Sequence, residues 1–337
     1  MFRCPSRKIQ FLSASIVLVV LTSTPSAHAA EQKGKVLSGE TPIALSTVTL
    51  YRAGMYRGAR AVVLGRARSD DGGFFRISYT PPLDPNAVLY LIADGGLTLP
   101  SGRASMRVRG PIRLATVLGT APVPADVVIN ERTTVASAFA MAQFIAGRNI
   151  AGKVPGLQNA AATVRNLVDI TTGQVGSVLG NPPNGSETST MAEFNSLANI
   201  LAACVNAHTA CWSLFDLTKP PRGDAPHDTL QAVVNIAHYP WQNVESLFDL
   251  SQSQIPYQPA LGSAPDAWTL AIKYVGNGQE FDGPGNMAVD KDGNIWSTNN
   301  YEFNSDPSVP ACGGKLLSKL TPAGADAPGA PLQWGRS

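Results

Sequence analysis

The sequence is poor in charged residues, histidine and cysteine, and these shortages exclude several classes of protein. Only 15% of its 337 residues are charged, with four histidines, four cysteines and a formal net charge of +2. A disulfide-dense scaffold and a strongly basic nucleic-acid-binding chain are therefore not indicated. The chain also lacks G-x-S-x-G, H-E-x-x-H and a G-x-G-x-x-G after a strand. We predict no catalytic residues, no cofactor, no metal site and no nucleic-acid partner.

Long apolar runs are missing after residue 29, and the one before it is short. Arg3, Arg7 and Lys8 precede an apolar run over residues 11–21, and Ala27-His28-Ala29 supplies a small-x-small cleavage pattern. A spanning helix needs roughly 20 apolar residues, which disfavours the alternative of a membrane anchor. We predict that residues 1–29 are a cleaved signal peptide. The mature chain is then secreted, periplasmic or extracellular, without a membrane span.

Three cysteines follow the predicted cleavage site: Cys204, Cys211 and Cys312. Cys204 and Cys211 are close in sequence with His208 between them, which suits either a disulfide or part of a zinc site. An exported chain meets an oxidising compartment, and zinc usually requires a further ligand. The spacing therefore favours a Cys204–Cys211 disulfide and leaves Cys312 without an assigned partner.

The small net charge hides an uneven distribution along the chain. Residues 31–125 carry twelve Lys/Arg against six Asp/Glu, a net of +6, whereas residues 126–337 carry eleven against eighteen, a net of −7. A basic first domain could bind an anionic envelope polymer or a carbohydrate. The charges alternate with apolar residues at strand spacing, so the pattern favours the alternative of a solvated arginine-rich surface.

Short strand-like runs at regular spacing predict a β-sandwich over residues 33–120. The runs begin near Gly34, Val48, Ala61, Phe74, Val88 and Ile112. Ser69-Asp-Asp-Gly-Gly73 is a turn, because Asp-Gly supplies the positive φ that a tight hairpin needs.

Some of these residues resemble a known module. The order Gly34-Lys-Val36, Gly39, Pro42-Ile43, Val48-Thr-Leu50 and Ser69-Asp-Asp-Gly-Gly-Phe74 resembles the carboxypeptidase regulatory-like (transthyretin-like) β-sandwich. In that family the module is usually a non-catalytic accessory, so the resemblance implies no catalytic residue.

After a proline-rich linker at 122–124 the apolar spacing changes to the helical period, which predicts an all-α region over residues 126–252. The predicted helices run from an Asn130 cap to residue 146, then over 157–170, 190–207, 210–218, 229–238 with Asp228 as cap, and 240–250.

A second linker at 255–266 precedes a β-rich segment over residues 266–337, beginning with a strand-like run at 268–274. Gly283-Pro-Gly-Asn-Met-Ala-Val-Asp290, Gly293-Asn-Ile-Trp296 and Leu320-Thr-Pro-Ala-Gly324 resemble one blade of a β-propeller of the NHL-repeat or virginiamycin B lyase-like type. Propellers need about four to eight blades. The resemblance implies an incomplete propeller, as in a truncated chain or the front part of a longer one.

Four weaker patterns have simpler structural interpretations. Residues 147–154 approximate a phosphate-binding loop but end in valine, which favours a turn between helices. Residues 290–294 resemble a calcium loop without its distal glutamate, which favours a hairpin turn. His227 and His238 are expected to be structural or exposed. Asn184-Gly-Ser186 matches a glycosylation sequon, a pattern that often occurs by chance.

The sequence thus predicts a multidomain α+β protein: a β-sandwich, an all-α helical region and a single partial propeller blade. We expect an exported modular binding or structural protein of the cell envelope or extracellular space, without catalysis by this chain. The alternative is a virginiamycin B lyase-like lyase or hydrolase whose catalytic blades are missing from this chain. The ligand itself is not indicated.

Overall fold

A computed structural model describes residues 29–98, 106–107, 112–276, 281, 283–299, 308, 316–328 and 332–333. Residues 1–28 of the predicted signal peptide, and Cys312, lie outside these residues. The described part is mixed α+β, with several antiparallel sheets, seven α-helices and no closed barrel. The α+β class is therefore confirmed.

Ten strands form two sheets at the start of the described chain. They are β1 (Ala30–Ser38), β2 (Thr41–Ala44), β3 (Thr47–Arg52), β4 (Val62–Arg68), β5 (Phe74–Tyr79), β6 (Leu89–Asp94), β7 (Leu97–Thr98), β8 (Met106–Arg107), β9 (Arg113–Gly119) and β10 (Asp126–Ile129). One sheet has the order β10-β1-β2-β7-β8 with β5 also paired to β1, and the other has the order β4-β3-β6-β9. The six predicted runs correspond to β1, β3, β4, β5, β6 and β9, whereas β2, β7, β8 and β10 were not predicted.

The strands bury either one face or both faces. In β5, Phe75, Ile77 and Tyr79 are buried, whereas the residues between them are exposed. This period of two is what a half-buried strand requires. By contrast, β6 is buried over five consecutive residues, 89–93, and β9 over residues 114–119. These two strands are therefore covered on both faces.

Seven α-helices follow, and three of them cover β9. They are α1 (Glu131–Ala140), α2 (Gly156–Leu167), α3 (Ser177–Gly180), α4 (Thr190–Asn206), α5 (His208–Leu217), α6 (Thr229–His238) and α7 (Val244–Ser251). Helices α1, α2 and α6 contact β9, and α1 also contacts α4. One buried hydrophobic cluster consequently runs from Val36 in β1 to Trp268 after the last helix.

The prediction of an all-helical range over 126–252 is wrong in part. Strand β10 pairs in parallel with β1, and two short hairpins interrupt the helices: β11 (Ile145–Ala146) with β12 (Asn149–Ile150), and β13 (Val168–Asp169) with β14 (Gln174–Val175). Gly147 and Gly173 have positive φ at these reversals. The first helix therefore ends at residue 140, before the predicted 146, and the second at 167, before the predicted 170.

Helix α1 begins at a buried polar cluster. Asn130 accepts a hydrogen bond from the Thr133 backbone N–H and caps the helix as predicted. The Glu131 carboxylate is buried and accepts hydrogen bonds from the Ser38 hydroxyl (2.5 Å), the Gly39 N–H (3.2 Å) and the Tyr257 hydroxyl (2.5 Å). Burial raises the pKa of Glu131, and the bonds from Ser38 and Tyr257 oppose that shift. The cluster thus ties the turn after β1 to α1.

A cluster of ion pairs connects the start of α6 to strands β6 and β9. The Arg113 guanidinium in β9 pairs with Asp94 (2.8 Å) and with Asp228, and Arg148 also pairs with Asp94 (2.9 Å). Asp228 accepts a hydrogen bond from the Gln231 N–H at 2.9 Å, so the predicted cap of α6 is confirmed. The Asp228 carboxylate therefore caps α6 and also pairs with Arg113 of β9.

The predicted linker at 255–266 is in contact with the helices. Tyr257 is buried, and the Arg132 guanidinium lies 4.6 Å from its ring centroid. The Asn199 side chain bonds both the N–H and the carbonyl of Tyr257. The apolar residues of this segment therefore join the helical core.

The strand predicted at 268–274 is not formed, because helical-region groups take its backbone hydrogen bonds. Thr269 N–H donates to Glu193, Thr190 donates to the Ala271 carbonyl, and Asn184 bonds both polar groups of Lys273. The backbone groups bonded in this way are not free to pair with a neighbouring strand.

The described residues after 283 contain a four-stranded antiparallel sheet. Its strands are β15 (Pro284–Val289), β16 (Ile295–Asn299), β17 (Leu316–Leu320) and β18 (Leu332–Gln333), in sequential order. A register shift interrupts the β15–β16 pairing.

The last predicted helix, α7, begins at Val244, four residues later than expected, because the Asn243 backbone adopts positive φ.

Candidate functional site

A groove of about 790 Å³ opens along β1, β5 and β10. Lys33 and Lys35 reach it because β1 buries Gln32, Gly34 and Val36 on alternate positions. The neighbouring strand β5 places Arg76 opposite Lys33 and Phe74 opposite Lys35. Arg68, the last residue of β4, also lines the groove. We name these five residues, Lys33, Lys35, Arg68, Phe74 and Arg76, the basic groove.

Two cations of the basic groove are available for a ligand. Among the described residues, Lys35 and Arg68 form no ion pair, whereas Arg76 and Lys33 lie 2.6 and 3.7 Å from Glu31 oxygens. Asp70 lines the groove, but its carboxylate accepts hydrogen bonds from the Gly72 and Phe74 N–H groups at 2.9 Å. The groove therefore presents positive charge beside one exposed strand carboxylate, Asp126.

An aromatic ring lies among these cations. Phe74 is 51% exposed, and the Lys35 Nζ lies 4.4 Å from its ring centroid. This distance permits a cation–π contact that holds the ammonium group over one face. The groove thus combines an apolar surface with charged hydrogen-bond donors.

The rim opposite β5 is built by the β13–β14 turn, where Thr171 and Thr172 line the groove. The Asp169 carboxylate accepts from the Thr171 N–H (2.9 Å) and hydroxyl (2.7 Å). Burial raises the pKa of Asp169, but hydrogen bonds from Thr171 and Thr172 outweigh it, so the pKa lies below its usual range. The ionised Asp169 therefore fixes the rim turn.

The predicted cysteine pair is at disulfide distance. The Cys204 and Cys211 sulfurs lie 2.04 Å apart and link the end of α4 to α5. Their pairing agrees with the disulfide interpretation of the sequence, and the described residues contain no cluster of three or more metal-ligating side chains. His208 is the first residue of α5, His227 is exposed before α6, and His238 is exposed at its end.

Residues 290–294 form a closed turn in the structure. The Asp290 carboxylate accepts hydrogen bonds from the Asp292 and Asn294 N–H groups at 2.9 Å and from the Trp296 indole at 3.1 Å. The Asn294 side-chain amide donates to the same carboxylate at 2.9 Å. The hairpin-turn interpretation is confirmed, because donors already occupy the oxygens that a calcium ion would need.

Two other sequence motifs, the loop at 147–154 and the sequon at Asn184, have structural roles. The loop-like motif at 147–154 contains the turn of the β11–β12 hairpin and the strand β12, and it ends before α2 begins, so no helix N-terminus directly follows Lys153. Asn184 of the sequon is buried, and its amide donates to the Val178 and Lys273 carbonyls. Its amide nitrogen is therefore enclosed by the fold.

In the sequence, the basic groove is visible only as an excess of positive charge. The excess of Lys and Arg before residue 126 was visible, as was the alternation of Lys33 and Lys35. The rim threonines were not, because no local signal indicates that β10 pairs with β1 and brings the β13–β14 turn to the groove.

Comparisons with protein families and with curated proteins find no match. Among solved structures, the chain has a similarity to a 9R-lipoxygenase from Cyanothece PCC8801, with 14% identity, a TM-score of 0.20, and coverage of 62% of this chain. The matched part spans 27% of the lipoxygenase chain. A similarity of this size establishes neither a common fold nor a common activity. In the described residues, no helix combines the length and the apolar character that crossing a membrane requires.

Proposed function

We propose that this chain is an exported modular binding protein that holds an anionic polysaccharide in the basic groove. The observation that carries the proposal is that two groove cations, Lys35 and Arg68, form no ion pair with a described residue and lie beside the exposed ring of Phe74. Ammonium and guanidinium groups form charge-assisted hydrogen bonds with carboxylate, sulfate or phosphate groups. The aromatic ring supplies apolar contact area for a sugar ring.

The modular part of the proposal follows the resemblances. The two N-terminal sheets suit a carboxypeptidase regulatory-like sandwich, and the four antiparallel strands over residues 284–333 suit one NHL-type blade. In this proposal the blade and the sandwich are binding scaffolds. The location outside the cytoplasm is supported by the cysteine pair at disulfide distance.

The test measures binding of the purified chain to dextran sulfate by isothermal titration calorimetry, with neutral dextran as the matched ligand. The double charge reversal K35E/R68E is expected to weaken dextran sulfate binding at least tenfold, about 1.4 kcal/mol. Dextran should not bind measurably. Raising the ionic strength should weaken binding, because the groove is open to solvent.

The control is K219E/R222E, which changes the net charge equally at exposed positions outside the groove. It should retain most of the affinity. An equal loss in K219E/R222E would show attraction by net charge alone and would refute a defined groove. F74A should weaken dextran sulfate binding more than inorganic polyphosphate binding, because polyphosphate has no sugar ring. Equal losses would remove the ring from the proposed role.

A further inference from the structure

A second cavity of about 430 Å³ lies between the helical region and the C-terminal sheet. Its walls come from α1, α2, the segment at 268–274 and the turns of the β15–β17 strands. None of its lining residues belongs to the basic groove. It is therefore a separate site candidate.

The lining is apolar and uncharged. Phe139, Leu167, Leu270, Ile272 and Ile295 are among its apolar lining residues, and the described lining residues include no charged side chain. An ion entering such a cavity would lose its hydration without gaining a partner, which costs several kcal/mol or more. The lining therefore selects uncharged ligands.

The walls are held together by hydrogen bonds that cross between elements. The Asn166 side-chain amide in α2 donates to the Tyr274 hydroxyl (2.9 Å) and to the Pro322 carbonyl (2.7 Å). The Tyr274 hydroxyl donates in turn to the same carbonyl at 3.2 Å. The Tyr274 ring packs directly on Gly324, where an added Cβ would lie 1.8 Å from it. The cavity is thus formed before any ligand binds.

One polar stripe faces the apolar walls. Asn159, Thr163 and Asn166 line the cavity from α2 at helical spacing, with about 10 Å between the first and the last along the axis. Both N–H donors of Asn166 are occupied, and its Oδ1 accepts no hydrogen bond from a described residue. The Asn159 side-chain amide likewise forms no hydrogen bond within the described part of the chain. The stripe therefore offers a donor and acceptors to a ligand.

We propose that this cavity binds a small uncharged molecule with an apolar body and at least one hydroxyl or N–H group. The volume lies within the range of pockets for small ligands, and a largely apolar lining with a few polar groups is their usual form. The apolar body would occupy the space between Phe139 and Ile272, with its polar group on the α2 stripe. This inference does not depend on the basic groove.

The test uses N-phenyl-1-naphthylamine, which is uncharged, apolar and carries one N–H, as a fluorescent probe. We expect saturable binding with one site per chain. A160W places an indole in the cavity and should weaken binding at least tenfold, whereas A162W puts the same side chain on the exposed face of α2 and should change it less than twofold. Absence of saturable binding, or equal binding by the two variants, would overturn the proposal.

A second variant and a second probe make the test decisive. V289W fills the cavity from the opposite wall at a residue that is 62% exposed, so it should fold even where A160W does not. The anionic analogue 1-anilinonaphthalene-8-sulfonate adds only a sulfonate to the same skeleton. It should not compete with the neutral probe, and competition with equal affinity would contradict the selection of uncharged ligands. Probe binding that is lost in K35E/R68E but kept in V289W would take place in the basic groove and not in this cavity.

Discussion

Replacing Glu193 by glutamine should remove a pH dependence of stability that originates at one buried carboxyl group. Glu193 lies in the first turn of α4, is 5% exposed, and accepts a hydrogen bond from the Thr269 N–H at 2.5 Å. Burial raises its pKa from the ordinary 4.5 to about 7, although the bond from Thr269 opposes the shift. The folded state therefore holds the proton more tightly than the unfolded state.

The sign follows from this difference in proton affinity. A group whose pKa is raised on folding contributes stability below the unfolded pKa, and that contribution is lost as the pH rises through the folded value. One pKa unit corresponds to about 1.4 kcal/mol. Ionisation of Glu193 should therefore lower the free energy of unfolding of the wild type by roughly 2–3 kcal/mol as the pH rises from 5 to 8. In E193Q the amide oxygen can still accept from Thr269, but nothing titrates.

The assay is urea unfolding of the wild type and E193Q at pH 5 and pH 8. The free energy of unfolding of the wild type should fall by roughly 2–3 kcal/mol more than that of E193Q over this interval. E245Q, at an exposed position of α7, controls for the loss of one carboxyl group. Parallel changes in the wild type and E193Q would refute the reasoning, because they would show that Glu193 has the same proton affinity in both states.

Three further predictions concern the core. Y257F removes the hydroxyl that donates to Glu131 and should lower the free energy of unfolding by about 1.5–3 kcal/mol. The control is Y79F, because the Tyr79 ring is also buried but its hydroxyl forms no described hydrogen bond. Y79F should change the free energy of unfolding by less than about 0.5 kcal/mol. Equal urea midpoints for Y257F and Y79F would contradict this contrast. G34A should destabilise by about 1–3 kcal/mol or more because its Cβ would lie 2.1 Å from a β10 carbonyl, whereas G262A meets open space and should be near neutral by thermal melting. Reducing the disulfide between α4 and α5 should cost about 2–3 kcal/mol, and non-reducing peptide mapping that found both thiols free would disprove the pairing.

The sequence predicts those parts of the structure that depend on local rules. Six strands, β1, β3 to β6 and β9, follow from apolar alternation and turn spacing. The caps at Asn130 and Asp228 and the turn at Asp290 follow from side-chain acceptors and Asp-Gly chemistry. The limits of α4 and α6 also agree with the apolar spacing to within one residue. These features need only neighbours in sequence.

The missed features depend on residues far apart in the chain. The segment at 268–274 has the apolar pattern of a strand, but side chains of Glu193 and Asn184 take its backbone groups. Tyr257 lies in a proline-rich stretch that is typical of a linker, yet its hydroxyl reaches Glu131. The basic groove needs the parallel pairing of β10 with β1, which no local pattern specifies. Tertiary contacts decided each case.

The double-sided burial of β6 and β9 has a consequence for dissecting the chain. A fragment ending near residue 120 would lose β10 from the first sheet and would uncover the outward side of β9, against which α1 and α6 normally lie. The Arg113 guanidinium would lose Asp228, and the turn after β1 would lose Glu131. Such a fragment would expose an apolar surface and self-associate. The amino-terminal module can therefore be studied in isolation only in a fragment that also contains α1 through α6.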